Sequence, residues 1–126
     1  MSIRLSPQKE HDIQATYFRI LEWNVAKFPY LRFIFAIPNG GHRHIAVARK
    51  MKAEGVKRGV PDIFVPISNK YNGLYLETKT DKGTQTKEQK EFEAFLISQG
   101  YSYCLCRSTD ELITATEQYL QITLNK

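Results

Sequence analysis

The sequence predicts an α/β fold in which a mixed central sheet is flanked by helices, in the order α β α β β α β α. Two observations carry this expectation. Short runs rich in β-branched and aromatic residues, such as "DIFVPI" and "LYLETK", alternate with longer segments whose apolar residues recur at helical spacing. Helices that interrupt strands bury both kinds of apolar surface best when they cover the two faces of one sheet. The chain has 126 residues, 42% of them hydrophobic and 25% charged, which suits one domain spanning residues 1–126 with a core of its own. No internal repeat or low-complexity tract divides it.

The elements follow in order. Ser6-Pro7 reads as an N-cap followed by proline at the first helical position. Ile13, Tyr17, Ile20, Leu21, Val25 and Phe28 then mark the buried stripe of a helix that Pro29 stops near Lys27. "RFIFAIP", from Arg32 to Pro38, predicts a short strand. "NGG" breaks the chain, and "HRHIAVARKMKAEG" predicts a basic helix with Gly55 as its C-cap. "DIFVPI" is the second strand, with Pro66 at its end or on an edge. After the turn "SNKYNG", "LYLETK" is the third. Thr86 to Gln99 forms an amphipathic helix carrying Phe92, Phe95 and Leu96, with Gly100 after it. "YSYCLC" is the fourth strand, and Thr109 to about Leu120 the last helix, with Leu112, Ile113 and Tyr119 on its apolar side.

The formal net charge is +5, and a basic domain attracts polyanions, of which nucleic acid is the commonest. Cys104 and Cys106 are two apart, so they share a strand face and rarely meet disulfide geometry. Without a matching Cys/His cluster they make no zinc site. Two free cysteines suit a reducing compartment, and the absence of an apolar leader or of a run of ~20 apolar residues leads us to expect a soluble cytoplasmic protein with no membrane partner.

The charged residues on the strands are the informative ones. Glu77 and Lys79 are two apart and share a face, with Tyr75 beside them, while Leu74, Leu76 and Thr78 point the other way. Asp62 opens the preceding strand on the same face as Phe64, 15 residues before Glu77. A hairpin between the two strands brings the acids together. Two carboxylates about 4 Å apart repel by roughly 4 kcal/mol at an effective dielectric near 20, so a proton, a cationic side chain or a metal must lie between them. An all-oxygen site suits a hard cation such as Mg²⁺. With Lys79 on the same wall, this set meets the needs of phosphodiester hydrolysis, in which an ion activates water and a lysine steadies negative charge. The plainer alternative makes Glu77 and Lys79 outward residues of a solvated strand and Asp62 a turn residue.

Glu10 lies three residues before Ile13 and seven before Tyr17, on the buried stripe of the first helix with Gln14. It is either a third acid of the site or a residue favoured by the helix dipole. Gln89 lines up with Phe92 and Leu96, but "TKEQ" also fits a capping box, which by itself explains the glutamine. "NGGHRH" (Asn39, Gly40, Gly41, His42, Arg43, His44) could cradle a phosphate at a helix N-terminus, or be an ordinary turn. The spacing of His42 and His44 argues against a zinc pair. Lys57, Arg58 and Lys82 flank the presumed site and could track a nucleic-acid backbone, or merely aid solubility.

The segment from "FAIPNGGHRH" through "GVPD", "ETK" and "EQK" to "SQGY" resembles the VRR-NUC domain, the virus-type replication and repair nuclease branch of the PD-(D/E)XK superfamily. The resemblance begins at "KEHDIQ" and extends over nearly the whole chain, with its motifs in the family's order and spacing. It is similar to stand-alone domains of phages and prophages. The resemblance implies a restriction-endonuclease-like core and cleavage of DNA dependent on Mg²⁺ or Mn²⁺, with no organic cofactor. It implies that Asp62 and Glu77 are the metal-binding acids, with the Thr78 backbone carbonyl a further ligand. Lys79 matches the catalytic lysine, Glu10 the acid of the first helix and Gln89 the glutamine of the later one. Relatives mostly carry an apolar residue where this chain has Thr78; a carbonyl ligand does not depend on the side chain. Stand-alone members resemble homodimeric Holliday-junction resolvases. We therefore expect a structure-selective endodeoxyribonuclease that acts on branched DNA as a homodimer and leaves 5′-phosphates. The alternatives are a nicking or restriction-like nuclease on duplex DNA and a non-catalytic DNA-binding accessory protein.

Overall fold

The structure is a computed structural model that describes residues 9–38 and 45–126. A four-stranded sheet runs in the order β1-β2-β3-β4, where β1 is Phe35–Ala36, β2 Ile63–Val65, β3 Leu74–Thr78 and β4 Ser102–Cys106. The first three strands are antiparallel and β4 is parallel to β3. The helices are α1 (Glu10–Trp23), α2 (Ile45–Ala53), α3 (Lys87–Ser98) and α4 (Thr109–Leu120). The mixed sheet and the element order match the expectation. Among the described residues, no helix is long and apolar enough to cross a membrane.

Two boundaries differ from the sequence reading. The described part of α1 is preceded by Lys9 as N-cap, with Ser6 and Pro7 outside the described residues, and the helix stops at Trp23 rather than near Lys27. Asn24 ends it. Its buried side chain donates to the carbonyls of Ile20 and Asn125 and accepts from the Asn125 N–H, so it ties the helix end to the C-terminal segment. The expected strand from Arg32 to Pro38 is cut short: its first two residues belong to a 3-10 turn, Pro29–Phe33, opened by the proline. Leu31 and Ile34, three residues apart, both reach the core, a spacing that 3-10 geometry satisfies and alternating strand geometry does not. Only Phe35 and Ala36 remain to pair with β2.

The core lies on one face of the sheet. Ile63, Val65, Leu74, Leu76 and Cys106 pack there against Ile13, Tyr17, Ile20 and Leu21 of α1 and Leu112, Ile113 and Tyr119 of α4. The Tyr17 hydroxyl bonds to Thr116 Oγ1 at 2.8 Å, and Thr109 Oγ1 donates to the Ile13 carbonyl, so the two helices are joined by polar contacts as well as by apolar packing. Cys104 and Cys106 are free thiols, their sulfurs 3.7 Å apart.

The opposite face carries an aromatic stripe. Phe35, Phe64, Tyr75 and Tyr103 stand in register across the four strands. Phe64 stacks on Tyr75 with ring centroids 4.4 Å apart, and Tyr101 meets both rings edge-on. Helix α3 packs beside β4 on this side and buries Leu96, whereas Phe95, expected on its apolar face, is 60% exposed. Helices α2 and α3 both end in Schellman closures: the N–H of Val56 reaches the Met51 carbonyl, and that of Tyr101 the Leu96 carbonyl, behind Gly55 and Gly100 at positive φ.

Candidate active site

The β2–β3 register sets Ile63 opposite Leu76, so Asp62, one residue earlier, falls opposite Glu77. The two carboxyl groups lie close enough for the charge of Asp62 to act on Glu77. Asp62 is anchored on three sides. Its N–H donates to the Leu76 carbonyl, its own carbonyl accepts from Ile37, and its Oδ2 accepts the N–H of Thr78 at 2.7 Å. One acid is therefore held by the backbone of the strand that bears the other.

A glycine makes this approach feasible. In the "GVPD" segment Gly59 has φ +86°, and a Cβ there would lie 2.6 Å from the backbone carbon of Glu88. The loop leading to Asp62 thus rests directly on the first turn of α3. Sequence reasoning passed over Gly59 as part of a plain loop.

Glu77 is only 1% exposed, although it lies on the more open face of the sheet. Both its oxygens are engaged. Oε2 accepts from Gln89 Nε2 at 2.9 Å and Oε1 from the Tyr103 hydroxyl at 3.2 Å. Gln89 forms the capping box and also bonds to Glu77. Its Oε1 accepts the Thr86 N–H while Thr86 Oγ1 accepts the Gln89 N–H, which is the expected capping box. That use of the amide oxygen leaves the amide nitrogen facing Glu77. Tyr103 had no sequence signal beyond its place on a strand; only the parallel pairing of β3 and β4 brings it to Glu77.

Burial first, and then the negative charge of Asp62, push the Glu77 carboxyl up from 4.5 to about 8, against the opposing pull of Lys79. Glu10, at the start of α1, is raised by partial burial and by Asp62, again opposed by Lys79. Glu10 and Glu77 therefore both feel Asp62 and Lys79. Burial and the nearby Glu77 also push the Tyr103 phenol up, so it remains a donor.

The donor set fits a hard divalent cation. Two neighbouring carboxylates, one of them buried, repel unless positive charge joins them, and the oxygens are of the kind that Mg²⁺ and Mn²⁺ accept. Among the described residues, no three Asp, Glu, His or Cys side chains gather closely enough to cage an ion. Glu10 accordingly meets the pair through its charge. Thr78 lies between Glu77 and Lys79 with its hydroxyl buried and without a hydrogen-bond partner.

The basic residues predicted to meet DNA divide into two groups. Asn39, Gly40, Gly41, His42 and Arg43 lie outside the described residues. Lys57 and Arg58 are exposed on the loop that leads to Asp62, and Lys82 is exposed on the loop that follows β3. Arg107 holds that second loop, its Nη1 donating to the carbonyls of Thr80 and Gly83 at 2.8 and 2.7 Å.

A sheet of this topology with an acid pair and a lysine at the β2–β3 end defines a nuclease fold of the PD-(D/E)XK type. The chain matches the VRR-NUC domain over residues 7–110 and therefore belongs to that family, whose members are nucleases acting on DNA and generally depend on divalent metal. A solved structure described as a VRR_NUC domain protein is 26% identical, with a TM-score of 0.75 over 94% of this chain and 93% of that one. No curated protein matches the chain.

Proposed function

We propose that this protein is a metal-dependent, structure-selective endodeoxyribonuclease that cuts branched DNA as a homodimer. The observation that carries the reading is the β2–β3 register that sets Asp62 opposite Glu77, with the charge of Asp62 raising both Glu77 and Glu10 and Lys79 pulling against both. Asp62, Glu77 and the Thr78 backbone carbonyl would hold Mg²⁺ or Mn²⁺, and Glu10 adds negative charge beside them. When bound, the ion supplies an acidified water and neutralises charge on the scissile phosphate.

The chain's own groups do the rest. Lys79 presents an ammonium on the wall that carries the acids, where it orients the attacking water and meets the negative charge that grows on phosphate oxygens. Gln89 and Tyr103 keep the Glu77 oxygens from turning away. Lys57, Arg58 and Lys82, on the two loops that flank the acids, meet the DNA backbone without reading sequence. The described residues of each chain hold one such acid pair, so symmetrical cutting of two strands calls for a second copy. Exposed Ile45 and Val47 on α2 and Phe33 and Phe35 beside β1 offer apolar surface for it.

Cleavage of matched-length duplex, flap, splayed-arm and four-way substrates in Mg²⁺ or Mn²⁺ tests this. Branched substrates should be cut in preference to duplex, and Asp62→Asn should abolish cutting while DNA binding persists. Equal cleavage of linear duplex would instead favour a nicking or restriction-like enzyme.

A further inference from the structure

We infer that Glu93, Gln85 and Tyr103 form a positioning relay that fixes the orientation of the Glu77 carboxylate for cation binding. The inference rests on the metal-site reading above and goes beyond it by assigning residues that do not themselves touch the ion.

The polarity of the chain follows from what each group can donate. Gln85 Nε2 lies 3.1 Å from Glu93 Oε1 and 3.1 Å from the Tyr103 hydroxyl. A carboxylate accepts and cannot donate, so Glu93 requires the nitrogen side of the Gln85 amide. With its oxygen side turned toward Glu93, the amide would set two acceptors against each other. The second amide proton then goes to the Tyr103 oxygen, which must accept it. A phenol has a single proton, and with Gln85 acting as donor, that proton is directed at Glu77 Oε1, 3.2 Å away. Without Gln85, the hydroxyl could accept or donate in other directions.

The two sides of Glu77 thus follow one design. On one side, the capping box occupies the Gln89 oxygen and turns its nitrogen to Oε2. On the other, Glu93 turns the Gln85 nitrogen to Tyr103, and Tyr103 donates to Oε1. A carboxylate has about four lone-pair positions, so two donors hold its plane and leave lone pairs for a cation. Partners of this kind orient ligands, and losing one typically costs metal affinity about 10- to 100-fold. Gln85, Glu93 and Tyr103 are all half-buried, shielded enough for such bonds to persist against water.

The test is Mn²⁺ affinity of the full chain, measured by the electron paramagnetic resonance of free Mn²⁺, with thermal stability recorded beside it. Tyr103→Phe keeps the ring and removes the hydroxyl, and should weaken Mn²⁺ binding about tenfold or more. Gln85→Leu should weaken it less, and the double variant should bind no worse than Tyr103→Phe, because Gln85 acts through the phenol. In cleavage assays, Tyr103→Phe should raise the Mn²⁺ concentration needed for half-maximal rate more than it lowers the rate at saturating Mn²⁺. A folded Tyr103→Phe with affinity within about twofold of the parent overturns the relay, as does full additivity of the two substitutions. If Tyr103→Phe does not fold, unchanged affinity in Gln85→Leu overturns it. A parent protein that binds no Mn²⁺ removes the metal-site reading itself, a result distinct from a parent that binds while the variants match it.

Discussion

The two faces of β3 are buried for opposite reasons. Toward α1 and α4, Leu74 and Leu76 are sealed by apolar contact, and stability comes from surface removed from water. One residue on, Glu77 is just as inaccessible on the other face, yet it is surrounded by hydrogen-bond donors and by another acid. The first face holds the fold together. The second stores an electrostatic cost, and the groups around it are arranged to tolerate that cost rather than relieve it. The proposed function of this strand therefore sits where a purely stabilising sequence would not put a carboxylate.

Substitutions on the two faces should separate stability from activity. The largest effect is expected for Glu77→Gln, with cleavage falling by about 10²- to 10³-fold or more, the scale for losing one electrostatic stabiliser in a site. The same substitution should stabilise the metal-free protein at alkaline pH. Glu77 keeps its proton up to about pH 8 in the folded chain, whereas the ordinary value is 4.5. Between those values the folded state binds more protons than the unfolded one, so stability declines as pH rises through this window and is fullest below it. In chelator, the parent should lose melting temperature from pH 5 to pH 9, with the slope much reduced in Glu77→Gln. A slope unchanged by the substitution would mean that the strain resides elsewhere.

On the apolar face the pattern should invert. Leu76→Ala should cost about 2–5 kcal/mol in denaturant unfolding by leaving a cavity in a fully buried position. What folded protein remains should still bind Mn²⁺. The smallest effect is expected at Thr78. Its buried hydroxyl has no partner, so Thr78→Val should raise stability by about 1 kcal/mol and leave cleavage intact. Lost cleavage in Thr78→Val would assign the side chain, rather than the backbone carbonyl, a part in the site.

Much of this was legible in the sequence, where periodicity or chemistry is local. The last helix begins and ends where its apolar spacing puts it, and Asp62 stands opposite Glu77 because a short polar turn joins two strands. The first strand was overread because β-branched and aromatic composition cannot distinguish alternation from the three-residue spacing of Leu31 and Ile34. The C-terminal tie through Asn24 joins residues 101 positions apart, beyond any local pattern. Tyr103 and Gln85 escaped notice for a related reason. Tyr103 reaches Glu77 only across the β3–β4 crossover, Gln85 reaches it only through Tyr103, and nothing in "YSYCLC" distinguishes one tyrosine from another. The sequence offers Gln89 as a cap or a site residue, and the geometry shows the cap at one end of its amide and a bond to Glu77 at the other.

The most direct measurement of the proposed cation site is anomalous diffraction from crystals of the full chain soaked in Mn²⁺. A peak bridging the carboxylate oxygens of Asp62 and Glu77 beside the Thr78 carbonyl, and absent from Asp62→Asn, is the expected result. Density for Mn²⁺ only elsewhere, or none at concentrations that support cleavage, would contradict it.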